Sequence, residues 1–329
     1  MAAESKGRDS FLSTDNRLFN LARTGELRLP KSFSESTVRV IDRFLYPAAV
    51  IFFSFSWPFL ALFFLIPLVI LLVVFGLSSA DLFDTVLNFS AVWLIPLYIP
   101  VYLFVWLWLW LFEKRHLWTV GFERNHALKK YIRGLLAGFL LFSGTLVILL
   151  AFDAVDFQQP ESNKFGQGML ITGLLIFVGW MVQGGAEETV TRGFLLPILG
   201  VRYGTLAGIG VSSIIFTLLH LLNPGISVLA LVNLILFSLF AALFALFEGG
   251  LWGIAALHGM WNWAQGSLFG LQVSGLESSS LSLFQFTSTG PDWLTGGDFG
   301  PEGGIAVTII FIGAIGALIL VRRRREERL

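Results

Sequence analysis

The sequence has no cysteine at all. Disulfides and thiolate metal sites are therefore excluded. Charge is scarce too: Asp, Glu, Lys and Arg together make up 13% of the chain, against about 25% in a soluble domain. The signs balance to a formal net charge of zero. No basic patch with interleaved aromatics stands outside the segment flanks, so nucleic acid is not an expected partner. The first forty residues contain no apolar core of a cleaved signal peptide. There is no internal repeat. What remains is apolar: 55% hydrophobic residues and a mean hydropathy of +0.77. That composition is an all-α, polytopic membrane helix bundle with membrane lipid as a partner.

Residues 1–43 read as a cytosolic arm, in which Phe11, Leu18, Phe19 and Leu21 can form a short amphipathic face on the membrane or belong to a loose tail. A block of N-terminal transmembrane helices follows over 44–164. Pro47, Pro58 and Pro67 divide its first apolar stretch into an interfacial piece and a span near 52–77. The polar link Ser78 to Thr85 carries Asp81 and Asp84. A second span near 90–112 is rich in aromatics (Trp93, Tyr98, Tyr102, Trp106, Trp108 and Trp110), which reads as an interfacial belt. Further spans are expected near 134–152, 166–186, 205–222, 226–247, 250–270 and 304–321, about eight in all. Turns are expected at Gly200 to Gly204 and at Asn223-Pro224-Gly225. Residues 271–303 read as an extracytoplasmic loop, and 304–329 as the last span with a basic tail.

An even number of spans puts both termini on one side. Of the 22 lysines and arginines, 21 fall in 1–43, 113–133, 188–204 and 321–329, and the other is Lys164. The opposite links carry Asp81, Asp84, Asp153, Asp156, Glu161, Glu277, Asp292, Asp298 and Glu302. The positive-inside rule then makes both termini cytoplasmic in a multi-pass protein of the cell membrane.

Within this apolar chain, Glu187-Glu188-x-x-x-Arg192 is the costliest stretch, and ionisable groups inside a membrane are functional-site candidates by default. Glu188 and Arg192 are four apart and can pair on one helix face. Glu187 lies about 100° around the helix and is left free to face another element. Phe216 and His220 are four apart, as are His258 and Asn262. The midpoint between Glu187 and His220 falls at the expected turn near Gly204, so an antiparallel hairpin sets the two side by side. His258 fits less well: counted from a turn near Gly249-Gly250, it lies about 12 Å off level at roughly 1.5 Å per residue. Taken singly, the carboxylates and Arg192 also fit a cytoplasmic helix end, His220 an interhelical hydrogen bond, and His258 an interfacial residue beside Trp261 and Trp263. Asn233 can line a cavity, and Glu248 sits at a turn. His116 and His126, in the polar link, carry no assigned role.

Together these groups fit amide hydrolysis. A partly desolvated carboxylate acts as general base, a histidine helps orient water, and His and Asn donors stabilise the oxyanion. Two histidines and a carboxylate also suit zinc, with Glu187, His220 and His258 as ligands, although there is no H-E-x-x-H pair.

Three motifs, Glu187-Glu188-x-x-x-Arg192-Gly193, Phe216-x-x-x-His220 and His258-x-x-x-Asn262, occur in order on successive apolar segments. They resemble the CPBP family, the membrane proteases related to the CAAX prenyl protease of the Rce1 type and to bacteriocin-processing enzymes. The likeness covers about 165–270, with a fainter lead-in at Val120-Gly121-Phe122 and Tyr131 to Gly138. It implies a bundle of about eight helices with a catalytic cavity open to the cytosolic side. It also implies an endopeptidase acting on a membrane-associated, prenylated or leader-type peptide or protein substrate. Glu187 and His220 would activate water, His258 and Asn262 would form the oxyanion hole, and Glu188, Arg192 and Phe216 would support them, with no cofactor. Other readings are a non-proteolytic scaffold of the same family, such as a bacteriocin-immunity protein or sensor-kinase partner, and a proton-coupled transporter, against which the missing inverted repeat weighs.

Overall fold

The computed structural model describes residues 13, 15–74, 94–159, 167–276 and 282–327. Phe11, the link 78–85 with Asp81 and Asp84, Trp93, Glu161, Lys164 and Glu277 lie outside the described residues. The described chain is helical. Its main elements are α1 (Arg17–Arg23), α2 (Glu35–Val40), α3 (Tyr46–Val74), α4 (Leu94–Trp108), α5 (Ala127–Ala151), α6 (Gln167–Glu188), α7 (Leu196–Tyr203), α8 (Thr205–Leu219), α9 (Val228–Glu248), α10 (Trp252–Trp263) and α11 (Ile305–Glu326). Wider π-helical segments join α2 to α3 (Ile41–Leu45) and α6 to α7 (Thr189–Leu195), and two more extend the ends of α4 (Leu109–Glu113) and α10 (Ala264–Leu268).

Four described helices are long and apolar enough to cross a membrane: Leu94–Glu113, Ala127–Ala151, Val228–Glu248 and Ile305–Arg325. Thr205–Leu219 is apolar but shorter. A multi-pass helical membrane bundle follows, and its long apolar helices lie in lipid.

Three expectations change. First, the prolines do not break the first apolar block: Pro58 and Pro67 lie inside α3, which runs unbroken from Tyr46 to Val74. In lipid the alternative to a kinked helix is unpaired backbone, which is costlier. Second, α1 of the N-terminal arm packs on the protein core. Leu18 and Phe19 are 1% and 0% exposed. Phe19 fills the space above Gly200, where an added Cβ would lie 2.5 Å from its ring. Asn16 Nδ2 donates to the Leu246 carbonyl at 2.8 Å, and Arg17 pairs with Glu123 at 2.5 Å. Third, the aromatic belt divides. Trp106 and Trp110 are exposed, whereas the hydroxyl of Tyr102 donates to the Val182 carbonyl at 3.1 Å and Trp108 Nε1 to the Tyr46 hydroxyl at 3.1 Å.

The bundle has two chemically distinct ends. At one, Arg202 pairs with Asp42, Arg115 with Glu113 and Arg133 with Glu248, while Arg325 lies over the Phe247 ring. Every described lysine and arginine except Arg192 belongs to segments at this basic end. At the other end, a two-stranded antiparallel ribbon pairs β1 (Val155–Gln158) with β2 (Gln285–Ser288), in the register Val155↔Ser288 to Gln158↔Gln285. The loop reading of 271–303 did not foresee it. The Ala154 carbonyl accepts from the Thr289 and Gly290 amides. Asn223 Nδ2 donates to the Ser274 carbonyl at 2.8 Å. The described charged residues here are acidic: Asp153, Asp156, Asp292, Asp298 and Glu302.

Close backbone crossings set the helix levels. A Cβ on Gly134 would lie 2.1 Å from the Gly253 carbonyl oxygen, and one on Gly184 2.5 Å from the Gly259 nitrogen. Helix α10 is thus clamped between α5 and α6 by small residues, a packing mode suited to lipid, where burial of apolar surface does not drive association.

Candidate active site

Helix α6 does not end at the glutamate pair. It passes through the π segment Thr189–Leu195 into α7, and the chain turns only at Gly204, whose φ is +91°. That positive φ suits glycine, and the turn is tighter than the expected Gly200–Gly204. The hydroxyls of Thr189 and Thr191 donate back to the Gly185 and Glu187 carbonyls at 2.7 and 2.6 Å, four residues upstream. The glutamates therefore sit within a continuous helical element, not at a frayed end.

Glu188 and Arg192 are each 0% exposed. Arg192 Nη1 donates to Glu188 Oε1 at 3.0 Å and to Thr191 Oγ1 at 2.8 Å. Its Nη2 donates to the Ser238 hydroxyl at 2.6 Å and carbonyl at 3.2 Å. The guanidinium lies over the Phe216 ring at 4.6 Å and near that of Phe237 at 5.7 Å. Burying two charges costs several kcal/mol per ion, which close pairing and added hydrogen bonds offset. The i, i+4 pairing expected from the sequence is present.

Glu188 has a second partner: His258 Nδ1 donates to Glu188 Oε1 at 2.9 Å. A carboxylate only accepts, so the ring proton sits on Nδ1 and Nε2 is left for other work. That nitrogen lies 3.8 Å from Glu187 Oε2, too far for a direct hydrogen bond. The level mismatch expected for His258 is absent, because the crossing of α10 with α6 at Gly184 and Gly259 fixes its height. The count from the Gly249 turn assumed that helices start level, and α10 does not depend on that turn.

Each glutamate has one oxygen with two donors and one buried oxygen without a partner. Glu187 is the carboxylate that faces the cavity. It is 7% exposed. Its Oε1 accepts from Gln183 Nε2 at 2.7 Å and from the Tyr98 hydroxyl at 3.2 Å. Its Oε2 is buried and has no hydrogen-bond partner. Asn262 Nδ2 donates to Gln183 Oε1 at 2.8 Å, which fixes the orientation of the Gln183 amide. His220 ends α8, and its Nδ1 donates to the Phe216 carbonyl at 2.8 Å. Glu187, His220, His258, Asn262 and Phe216 all line one cavity, with about 70 Å³ open to the centre of a water-sized sphere. Glu188 and Arg192 lie behind its wall.

Two contributors were missed. Gln183 is four residues before Glu187, so its place on the same helix face was readable. Tyr98 was assigned to the belt, and nothing local in the sequence distinguishes a tyrosine facing lipid from one facing a carboxylate. Asn233 does line the cavity; its Nδ2 donates to the Glu302 and Gly304 carbonyls at 2.8 Å each.

The cavity lining includes residues from the connections at the acidic end. Asn223, Ser274, Leu276 and Glu302 form its rim, and all belong to the acidic end. Glu302 is held there by the Ser274 amide and hydroxyl, both at 2.6 Å.

The residues do not fit a metal centre. Among the described residues there is no group of three or more His, Asp or Glu placed to share an ion, and Glu187, His220 and His258 form no such group.

A family model, type II CAAX prenyl endopeptidase Rce1-like, matches residues 169–264. The matched stretch spans all three motifs. No curated protein and no solved structure matches the chain.

Proposed function

We propose that the chain is an intramembrane endopeptidase in which Glu187 activates water against a peptide carbonyl in a membrane-associated, prenylated or leader-type substrate. The observation that carries this reading is the state of Glu187: one oxygen is held by two donors, and the other is buried, unpartnered and within 3.8 Å of the His258 ring. Oε2 takes a proton from water, and the water oxygen bonds to the carbonyl carbon. The proton then passes to the amide nitrogen as the C–N bond breaks. His220, on the same cavity, helps to place the water.

His258 and Asn262 serve the oxyanion. Because His258 already gives its Nδ1 proton to Glu188, it donates to the oxyanion through Nε2 only as imidazolium. Asn262 keeps one N–H beyond the one given to Gln183. Glu188, Arg192 and Phe216 hold this arrangement in place.

The protease core is residues 165–270. The eight crossings are α3, α4, α5, α6 with α7, α8, α9, α10 and α11, with both termini cytoplasmic in the cell membrane. Residues 1–43 form a cytosolic arm, of which α1 docks on the core, and 271–303 an extracytoplasmic loop.

The test is to replace Glu187 by Gln and, separately, His220 by Ala, and to follow membrane-protein processing at matched expression. Loss of processing in both, with an accumulating precursor, is the expected result. Full cellular function in both variants overturns the protease reading in favour of a scaffold.

A further inference from the structure

The direction from which a substrate reaches Glu187 follows from the two ends of the bundle. The floor of the cavity toward the basic end is closed by Phe216 and Phe237, with Arg192 behind them, all buried. Phe237 packs on the His258 ring at 4.8 Å and on Phe311 at 5.5 Å, so side chains from α9, α10 and α11 meet there without a gap. The rim is different. His220, Asn223, Ser274, Leu276 and Glu302 are all half-exposed lining residues, and the last four come from the connections at the acidic end. No segment of the basic end contributes to the lining.

The charge asymmetry then gives that end a side. Lysine and arginine set orientation, and acidic residues contribute little. The basic end carries the described lysines and arginines of residues 15–45 and 113–133, together with Arg202 and Arg322 to Arg325. It is the cytoplasmic end.

We propose that the cavity is entered from the extracytoplasmic side, beneath residues 271–276 and Glu302. The substrate is then an extended peptide segment presented at the outer face of the membrane. This rests on the endopeptidase reading above. The lining also restricts the segment. Among the described residues it contains two carboxylates, Glu187 and Glu302, and neither lysine nor arginine, while Arg192 is committed to Glu188 and Ser238. A C-terminal carboxylate next to the scissile bond would therefore meet two like charges and no described lysine or arginine. The site suits cleavage inside a segment that is neutral or basic around the scissile bond, not trimming of an acidic chain end at the cytosolic face.

The chain has no cysteine, so single cysteines report accessibility directly. Asn223→Cys and Leu276→Cys probe the rim. Gln285→Cys on β2 and Arg124→Cys in the basic link mark the two sides. Each is treated with a charged, impermeant thiol reagent in intact cells and in inverted membrane vesicles. The expected result is labelling of positions 223, 276 and 285 in intact cells, its loss in inverted vesicles, and the reverse at 124. Labelling of 223 and 276 from the cytoplasmic side overturns the proposal. So does labelling of both rim positions only after detergent, which would mean a sealed cavity. Two rim positions guard against one variant misfolding. The readout needs no proteolysis, so its outcome is independent of the Glu187→Gln processing test.

Discussion

Glu187 and Glu188 are neighbours in the chain and opposites in their surroundings. Glu188 is wholly buried, and one of its oxygens meets both an arginine and a histidine. Each keeps one oxygen without a partner, but Glu187 faces a cavity and its donors are the neutral side chains of Gln183 and Tyr98. A carboxylate whose charge is balanced by a fixed guanidinium has its energy tied to the fold. A carboxylate that faces a cavity, with no cationic side chain fixed to it, is available for proton transfer. The one-residue step, about 100° around the helix, separates these roles.

The comparison breaks most sharply if the two glutamates respond alike to mutation. Glu187→Gln keeps the shape and the Oε1 contacts of the side chain. It should lower turnover by about 10²–10⁴-fold, the usual weight of a general base, with little change in the thermal midpoint in detergent. Glu188→Leu leaves the Arg192 charge buried and unpaired. Breaking a buried pair in this way costs about 3–5 kcal/mol, so a large fall in the midpoint is expected, and activity falls because His258 loses its anchor. Equal midpoints for the two variants would end the distinction.

Next in size is the crossing that joins the halves. Gly184→Ala puts a methyl where only 2.5 Å separates it from the Gly259 nitrogen. Overpacking of this kind costs about 1–3 kcal/mol, and it should push His258 away from Glu188. Activity is expected to drop further than stability does. Wild-type activity in Gly184→Ala would show that the His258 level is set elsewhere.

That crossing also marks the limit of what the sequence discloses. The Glu188–Arg192 pair was legible because i, i+4 spacing is local. The helical membrane character was legible because it is a sum over composition. The height of His258 was not, since it depends on α10 meeting α6, 70 residues apart in sequence. Tyr98 was misread for the same reason: its partner is 89 residues away. Pro58 and Pro67 misled because breaker rules are calibrated in water, where a broken helix finds solvent partners. Leu18 and Phe19 gave the pattern of an amphipathic face correctly but not what covers it. The cavity rim combines residues from 223, 274–276 and 302, and no periodicity brings those together.

The smallest changes sharpen the comparison most, because each removes a single hydroxyl. Tyr98→Phe deletes the donor to Glu187 Oε1 at 3.2 Å. Ser238→Ala deletes the acceptor for Arg192 Nη2 at 2.6 Å and leaves the Ser238 carbonyl as the remaining contact at 3.2 Å. A hydrogen bond to a charged group contributes about 1.5–3 kcal/mol, and each loss is expected at or below the low end of that range because other partners remain. The effects should fall on different measurements. Tyr98→Phe frees Glu187 to rotate and should lower turnover several-fold while the thermal midpoint stays near wild type. Ser238→Ala loosens the arginine behind the wall and should lower the midpoint while turnover, measured below the transition, changes little. If Ser238→Ala costs more turnover than Tyr98→Phe does, the charge behind the wall acts on the reaction directly, and the division between a structural and a reactive glutamate gives way to one coupled cluster.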